Sequence, residues 1–138
     1  MNQKSKLQKM SHRSKIIKEW VDVNVITANT NFKEFFDVDK HASRIIGIAI
    51  SSNYDDKMYY RGSQRIAINE KEIYPEGYES KMLMQGLNIA VNDRIIKIGE
   101  EMETGNRKVE IDYKDSDHPS SVFIPYRVRL YVYSRIDD

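Results

Sequence analysis

The chain has 138 residues, a formal net charge of +1, and 40% hydrophobic and 31% charged side chains, values that fit one folded domain. The absence of cysteine excludes disulfides, thiolate metal sites and thiol nucleophiles, and it favours synthesis in a reducing cytoplasm. No stretch approaches the roughly 20 apolar residues of a membrane-spanning helix, and the basic N-terminus lacks the apolar segment of a secretory signal peptide, so we expect no membrane partner.

The first 18 residues differ in charge from the rest of the chain. They carry six cations and no carboxylate, which leaves 16 basic against 21 acidic residues, or −5, for residues 19–138. We predict a basic N-terminal arm over residues 1–18 that becomes ordered on a partner, followed by one domain over residues 19–138. The cations of the arm are Lys4, Lys6, Lys9, Arg13, Lys15 and Lys18.

Short apolar segments after the arm predict strands. Residues 20–26 alternate valine with polar side chains at the period of two that a half-buried strand shows. Residues 27–43 predict a connection with room for a helical turn, in which Phe35 and Phe36 anchor the loop to the domain or to a neighbour. The nearly continuous apolar run at 44–51 predicts a central, well-covered strand.

The middle of the chain predicts strand pieces separated by polar turns. A turn at 52–56 precedes a strand interrupted by a β-bulge at Arg61 and Gly62, and a further turn is expected at 69–71. Pro75 and Gly77 stand at the second and fourth positions of residues 74–77, which predicts a type I turn. Further strand pieces are predicted at 82–84, 89–91 and 95–98.

The C-terminal third contains the clearest alternation. A charged loop at 99–108 leads to a strand at 109–113, and a last strand covers 122–134, with Pro125 marking a kink, a bulge or an edge position. On that last strand, Tyr126, Val128, Leu130 and Val132 share one face, and Arg127, Arg129, Tyr131 and Tyr133 share the other. About eight or nine strands in all predict an all-β fold, an antiparallel β-sandwich of the jelly-roll or immunoglobulin-like type.

The sequence offers little catalytic or cofactor chemistry. His118 is the one histidine with carboxylates and a hydroxyl nearby, and a polar loop at 115–119 explains it better than a hydrolytic site does. Asp115 and Asp117, and the segment 53–56, have the spacing of calcium loops but lack the glycine and distal glutamate of the helix-loop-helix motif. Scattered glycines form no phosphate-binding loop. We predict no catalytic site, metal or cofactor.

Binding to other macromolecules is the better supported prediction. Nine tyrosines exceed what one core needs, and tyrosine is enriched at interfaces; cross-strand packing on a half-exposed sheet is an equal alternative for Tyr131 and Tyr133. The arm suits the phosphates of nucleic acid and equally the acidic body of a neighbouring copy, while a solvated tail is the remaining alternative. Outside the arm, the residues expected to bind partners are Phe35, Phe36, Arg127, Arg129, Tyr131 and Tyr133.

Three stretches carry a resemblance: residues 72–78 (EIYPEGY), 91–94 (VNDR) and 123–131 (FIPYRVRLY). Their order resembles small β-sandwich virion proteins of tailed bacteriophages, in particular crAss-like phages infecting Bacteroidota, over roughly residues 44–136. The resemblance implies a structural part of the particle, such as an auxiliary capsid or decoration protein or a component of the portal and tail-neck region. It implies no active site, and it does not cover the basic arm.

We therefore expect a structural virion protein, assembled in the host cytoplasm, that binds capsid or portal-neck subunits and is present as a homo-oligomer or in many copies. The alternative is a nucleic-acid-binding module that uses the arm on phosphates and exposed tyrosines as stacking surfaces. A hydrolase of surface glycans is a third hypothesis, which requires paired carboxylates in a cleft.

Overall fold

The computed structural model describes residues 15–84 and 96–136. Within these ranges the chain forms eight strands, one short α-helix and one turn of 3-10 helix. The strands are β1 (Lys15–Val25), β2 (Asn31–Asp37), β3 (Ala42–Ser52), β4 (Gly62–Ile68), β5 (Lys71–Glu79), β6 (Ile96–Glu103), β7 (Lys108–Asp115) and β8 (Tyr126–Ile136). Helix α1 (Asp55–Arg61) connects β3 to β4, and the 3-10 turn (Ser80–Met82) follows β5.

The strands form two antiparallel sheets with the orders β1-β8-β3-β6 and β2-β7-β4-β5. They pair from the outside of the chain inward: β1 with β8, β2 with β7, β3 with β6, and β4 with β5. β8 also pairs with β3, and β7 with β4. The four strand pairs therefore join into two sheets that face each other. This strand order is that of a jelly roll. The predicted antiparallel β-sandwich is confirmed, and of the two types considered the jelly roll is the one that forms.

The core lies between the two sheets. The alternation predicted for the last strand is confirmed: Val128, Leu130 and Val132 of β8 are fully buried. They belong to one apolar cluster with side chains from both sheets, including Ile66 of β4 and Ile111 of β7. Complete burial of one such aliphatic side chain stabilises the fold by about 1.5–3 kcal/mol.

Two segments form regular elements that differ from those predicted, so those predictions are wrong. Residues 27–43 contain β2, whose Phe32 and Phe36 pack against the core while charged neighbours on the strand face solvent. Residues 55–61 form α1 and not a turn followed by a strand piece. Its two buried residues, Met58 and Arg61, are three apart and therefore share one face of a helix.

The predicted type I turn at 74–77 is also wrong. β5 runs through these residues and pairs with β4 on both sides of them. They form an irregularity in the pairing, where Gly77 adopts a φ of +87° that glycine tolerates. β5 is the edge strand of its sheet, and an edge position accommodates Pro75, which has no N–H to donate.

The chain reverses instead at 69–70, within the turn predicted at 69–71, where Asn69 and Glu70 have φ values of 51° and 65°. The charged loop predicted at 99–108 is shorter, because β6 extends to Glu103. The predicted bulge at Arg61 and Gly62 is wrong, since this is the junction of α1 with β4.

β1 begins at Lys15, so Lys15 and Lys18, which the sequence assigns to the arm, lie in this strand. The other arm cations (Lys4, Lys6, Lys9 and Arg13) and the strand piece predicted at 89–91 lie outside the described residues. In the described part of the chain, no helix has the length and apolarity needed to cross a membrane.

Candidate functional site

The antiparallel topology collects the connections at two ends of the sandwich. Strand register places the ends of β1 and β3, the start of β4 and the end of β7 together at one of them. We call this the loop end; it comprises residues 26–30, 53–61, 80–84 and 116–125. The opposite end, the turn end, consists of the short connections at 38–41, 69–70 and 104–107. Long connections on a rigid sandwich are common carriers of binding function.

Exposed large apolar side chains are concentrated at the loop end. Ten such side chains are exposed in the described residues, and seven of them lie there. The most exposed of them are Val122, at 79%, and Ile26, at 70%. Apolar groups collected at one end of a small domain make this end a candidate contact surface. The seven are Ile26, Tyr54, Tyr59, Tyr60, Met82, Val122 and Ile124.

Three of the rings at the loop end contact one another. The rings of Tyr59 and Tyr60 on α1 meet edge to face with centroids 4.9 Å apart, and the Tyr60 ring lies 5.0 Å from that of His118. Nδ1 of His118 accepts a hydrogen bond of 3.0 Å from the backbone N–H of Ser120, which fixes the imidazole. The cluster therefore presents aromatic contact area whose side-chain freedom is already reduced, a property that favours binding.

Beneath these exposed residues lies a buried ion pair between Arg61 and Asp115, which are 3% and 0% exposed. The guanidinium of Arg61 donates to both carboxylate oxygens, from Nε at 3.0 Å and from Nη2 at 2.8 Å. Nη1 donates to the carbonyl oxygen of Ser121 at 2.9 Å, and Nη2 also reaches Asp117 at 3.2 Å. A bidentate arrangement of this kind is the strongest form of arginine–carboxylate pairing.

Further donors complete the shell around Asp115. The hydroxyl of Tyr126 donates to its Oδ1 at 2.6 Å, and the backbone N–H of Asn29 donates to its Oδ2 at 3.0 Å. The hydroxyls of Tyr113 and Tyr126 are 2.9 Å apart. Burial disfavours the ionised carboxylate, but the hydrogen bonds from Arg61 and Tyr126 outweigh it and hold the pKa of Asp115 below its ordinary value.

This network holds the loop end together. Arg61 ends α1, Asp115 ends β7, Asn29 lies between β1 and β2, and Ser121 lies in the long β7–β8 connection, so four segments distant in sequence share one set of hydrogen bonds. A buried charge pair costs desolvation energy and is stabilising only when every partner is present. Here the polar network fixes the arrangement of the loops that carry the exposed apolar side chains.

Gly62 makes the close packing at this point possible. A Cβ atom on Gly62 would collide with the hydroxyl of Tyr113, and it would lie 2.6 Å from Oγ of Ser80 and 2.8 Å from the carbonyl oxygen of Met58. Only glycine therefore fits between α1 and the buried tyrosine.

The polar side chains of residues 115–121 pair mainly with residues of α1. The hydroxyl of Ser121 faces a carboxylate oxygen of Asp56 at 3.4 Å, and Arg61 engages both Asp115 and Asp117. Across the described ranges, no group of three or more His, Cys, Asp or Glu side chains is placed to hold a metal ion.

The residues predicted on the outer side of the last strand lie on the outer face of the β1-β8-β3-β6 sheet. β1 runs beside β8 without a register shift, with Trp20 opposite Tyr131, Lys18 opposite Tyr133, and Asp22 opposite Arg129. We call these outward side chains, together with Arg127 and Arg135 of β8, the aromatic face. The structure thus brings Arg127, Arg129, Tyr131, Tyr133 and Lys18 of the predicted set together.

Cation–aromatic contacts organise this aromatic face. Arg129 donates to both oxygens of Asp22, at 2.6 and 3.1 Å, and its guanidinium lies 5.2 Å from the centre of the Trp20 ring. The ammonium of Lys18 lies 5.8 Å from the centre of the Tyr133 ring. The hydrogen bond with Arg129 lowers the pKa of Asp22, so this carboxylate is charged at neutral pH. Trp20 stays 53% exposed.

The two predicted phenylalanines have different surroundings. Phe36 packs against the core, whereas Phe35 is 62% exposed on the same strand, with the ammonium of Lys108 4.8 Å from its ring centre. The sequence prediction missed Tyr59, Tyr60 and Val122 as candidate contact residues. Their exposure depends on α1 and on the β7–β8 connection, and neither has a periodic pattern that reveals which side faces solvent.

No protein-family model matches the chain, and no curated protein or solved structure is significantly similar to it. The jelly roll hosts viral capsid domains, lectins and cupins, so the fold alone does not select among these functions. The surfaces of the domain are therefore the features that bear on its function.

Proposed function

We propose that this protein is a structural virion protein of a tailed bacteriophage, an auxiliary capsid or decoration protein or a portal-neck component, and that it acts by binding other virion subunits. The observation that carries the proposal is the set of seven exposed apolar side chains at the loop end, above a fully hydrogen-bonded buried ion pair. The resemblance of three sequence stretches to phage virion proteins supports it, as does a fold used by viral capsid domains.

The chemistry of the loop end suits a protein partner. Tyrosines 54, 59 and 60 combine apolar area with a hydroxyl that tolerates a wet rim, and Met82 and Val122 supply purely apolar contact. Because the Arg61 network fixes the loops before binding, little further ordering is required on association, and rigid surfaces lose less entropy when they bind.

The proposal places the protein in the virion in several copies, each with its loop end against a neighbouring capsid or neck subunit. The cations of the N-terminal arm add electrostatic attraction to acidic neighbours, which include the bodies of further copies of this chain.

Quantitative mass spectrometry of virions purified on a density gradient tests the proposal. We expect the protein in a fixed number of copies per particle, with a ratio to the major capsid protein that is unchanged between preparations and after washing in high salt. Absence from purified particles, or a copy number that varies between preparations, contradicts the proposal.

A matched pair of variants tests the surface. Val122→Asp places a charge at the loop end, whereas Ile16→Asp makes the same kind of change at an exposed apolar residue far from it; these side chains are 79% and 51% exposed. We expect Val122→Asp to prevent incorporation into particles and Ile16→Asp to be incorporated normally. Equal incorporation of both variants would show that the loop end is not the contact surface.

A further inference from the structure

We propose that the aromatic face binds single-stranded nucleic acid, with bases stacked on Trp20, Tyr131 and Tyr133. This surface is separate from the loop end, so the inference goes beyond the proposed function and fails or stands independently of it. Proteins that bind single strands without sequence preference combine a cationic surface with aromatic side chains on which bases stack. Both components are present here on one sheet face.

The aromatic face carries a net positive charge, whereas residues 19–138 as a whole carry a net negative charge. Strand register and alternation place five cations on the outer side of this sheet against two carboxylates, Asp22 and Glu103, among the described side chains. Residues 19–138 carry 16 basic and 21 acidic residues. Cations are thus concentrated on this face although the domain is acidic, and a polyanion is the complementary partner. The five are Lys18, Arg44, Arg127, Arg129 and Arg135.

The aromatic side chains are spaced along the strands. Tyr131 and Tyr133 are two residues apart on β8, a separation of about 6.6 Å along the strand, and Trp20 lies beside Tyr131 with ring centroids 6.1 Å apart. A flexible single strand can place successive bases on rings arranged in this way. A duplex cannot, because its bases are already stacked on one another.

Small residues of the neighbouring strand lie beside the two tyrosines, which are half-buried. Gly47 and Ala49 of β3 are paired with Tyr133 and Tyr131, and Ser51 is paired with Arg129. The outward side chains of β8 therefore lie beside a row of short side chains on β3. An acidic protein would satisfy the charges alone, whereas a nucleic acid strand satisfies both the charges and the stacking surfaces.

Trp20 is the single tryptophan of the chain, so its fluorescence reports directly on this face. The full-length protein is titrated with a 15-residue oligothymidylate at physiological salt, and in parallel with polyglutamate and with a duplex of the same length. We expect the oligothymidylate to quench Trp20 fluorescence strongly and in a saturable way, and we expect the other two polymers to leave it nearly unchanged.

Variants assign the contact to named side chains. In anisotropy titrations with labelled oligothymidylate, we expect Trp20→Ala and Tyr131→Ala each to weaken binding about tenfold, and Trp20→Phe, which keeps a ring, to bind within about twofold of the original chain. Tyr59→Ala, which removes an exposed ring at the loop end, is the matched control and should leave the affinity unchanged. Circular dichroism confirms that each variant is folded.

Three results would overturn the inference. The first is absence of quenching at saturating oligothymidylate, and the second is equal quenching by polyglutamate, which would assign the face to an acidic protein. The third is binding that is lost on deletion of residues 1–14 but unaffected by Tyr131→Ala, which would assign nucleic acid binding to the arm.

Discussion

The two ends of the sandwich differ in how they are stabilised. At the turn end, the chain reverses in two to four residues, and the backbone itself makes the turns. Asn69, Glu70 and Arg107 adopt positive φ, and local hydrogen bonds such as that from the N–H of Arg107 to the carbonyl oxygen of Thr104 close them. At the loop end, long connections are held by the buried pair of Arg61 and Asp115.

The way in which each end is stabilised determines how much surface it can expose to a partner. Tight turns expose little surface beyond their own backbone. Loops that are held in place by a buried polar network can expose apolar side chains without rearranging to bury them. A buried polar network thus allows the loop end to keep Tyr59 and Val122 in solvent. Stability at the loop end should depend on a few side chains, and at the turn end on backbone conformation.

The largest expected effect is from breaking the buried pair. Arg61→Met leaves Asp115 as an uncompensated buried charge, and we expect the free energy of unfolding to fall by about 3–5 kcal/mol, as measured by urea denaturation. Arg65→Met is the control, because Arg65 is 28% exposed and pairs with surface carboxylates; such pairs contribute about 1 kcal/mol or less. Equal losses in both variants would refute the special role of the buried pair.

Lowering the pH should remove part of the stabilisation that the buried pair of Arg61 and Asp115 provides. The pKa of Asp115 is lower in the folded protein than its ordinary value of about 3.9. Its contribution is therefore complete above about pH 5, declines as the pH falls through the unfolded-state pKa, and is lost below the folded-state pKa. We expect the difference in unfolding free energy between the original chain and Asp115→Asn to be constant from pH 7 to about pH 5 and to narrow at lower pH. A difference that does not change with pH would contradict this.

The packing at the junction of α1 and β4 gives an intermediate effect. Gly62→Ala forces a methyl group against the hydroxyl of Tyr113 and the carbonyl of Met58, and we expect destabilisation of roughly 1–3 kcal/mol. Thermal denaturation followed by circular dichroism measures it. A variant as stable as the original chain would show that α1 can shift to make room, and that the loop end is less tightly held than the contacts indicate.

At the turn end, a stabilising change is expected. Glu70 has a φ of 65°, in a two-residue hairpin for which Asn-Gly is the preferred sequence. Glu70→Gly removes the steric cost of the left-handed conformation and should raise the free energy of unfolding by about 0.5 kcal/mol. Destabilisation in urea denaturation would show that the Glu70 side chain makes a contribution greater than the backbone strain.

The smallest effect on stability is expected at the exposed apolar residues. Val122→Asp should change the unfolding free energy by less than about 0.5 kcal/mol, because this side chain is 79% exposed. Tyr59→Ala removes the edge-to-face contact with Tyr60 and should cost about 1 kcal/mol or less. Their effect should appear in partner binding instead. A loss of several kcal/mol in either variant would mean that the side chain supports the fold of the isolated domain.

The sequence predicted the sheet-forming segments wherever one side of a strand is continuously buried. β8 is the clearest case, because Val128, Leu130 and Val132 alternate with polar residues, and this pattern also located Arg129 and Tyr131 on one outward face. β2 was missed because two of its apolar residues, Phe35 and Phe36, are adjacent and obscure the alternation.

The loop end was not predictable in the same way. Arg61 and Asp115 are 54 positions apart, and nothing local to either residue indicates the other. The signal from Pro75 and Gly77 was misleading for the opposite reason: the local residues favour a turn, but pairing of β5 with β4 on both sides keeps the strand extended. Contacts between residues distant in sequence determine both the buried ion pair and the extended conformation of β5.

Hydroxyl-radical footprinting of the protein inside purified particles, compared with the isolated protein, shows whether other subunits cover the loop end. Tyrosines 54, 59 and 60 report on the loop end, and His41, an exposed residue of the turn end, is the internal control. We expect strong protection of the three tyrosines in the particle and unchanged oxidation of His41. Tyrosines that are oxidised equally in both states would contradict it.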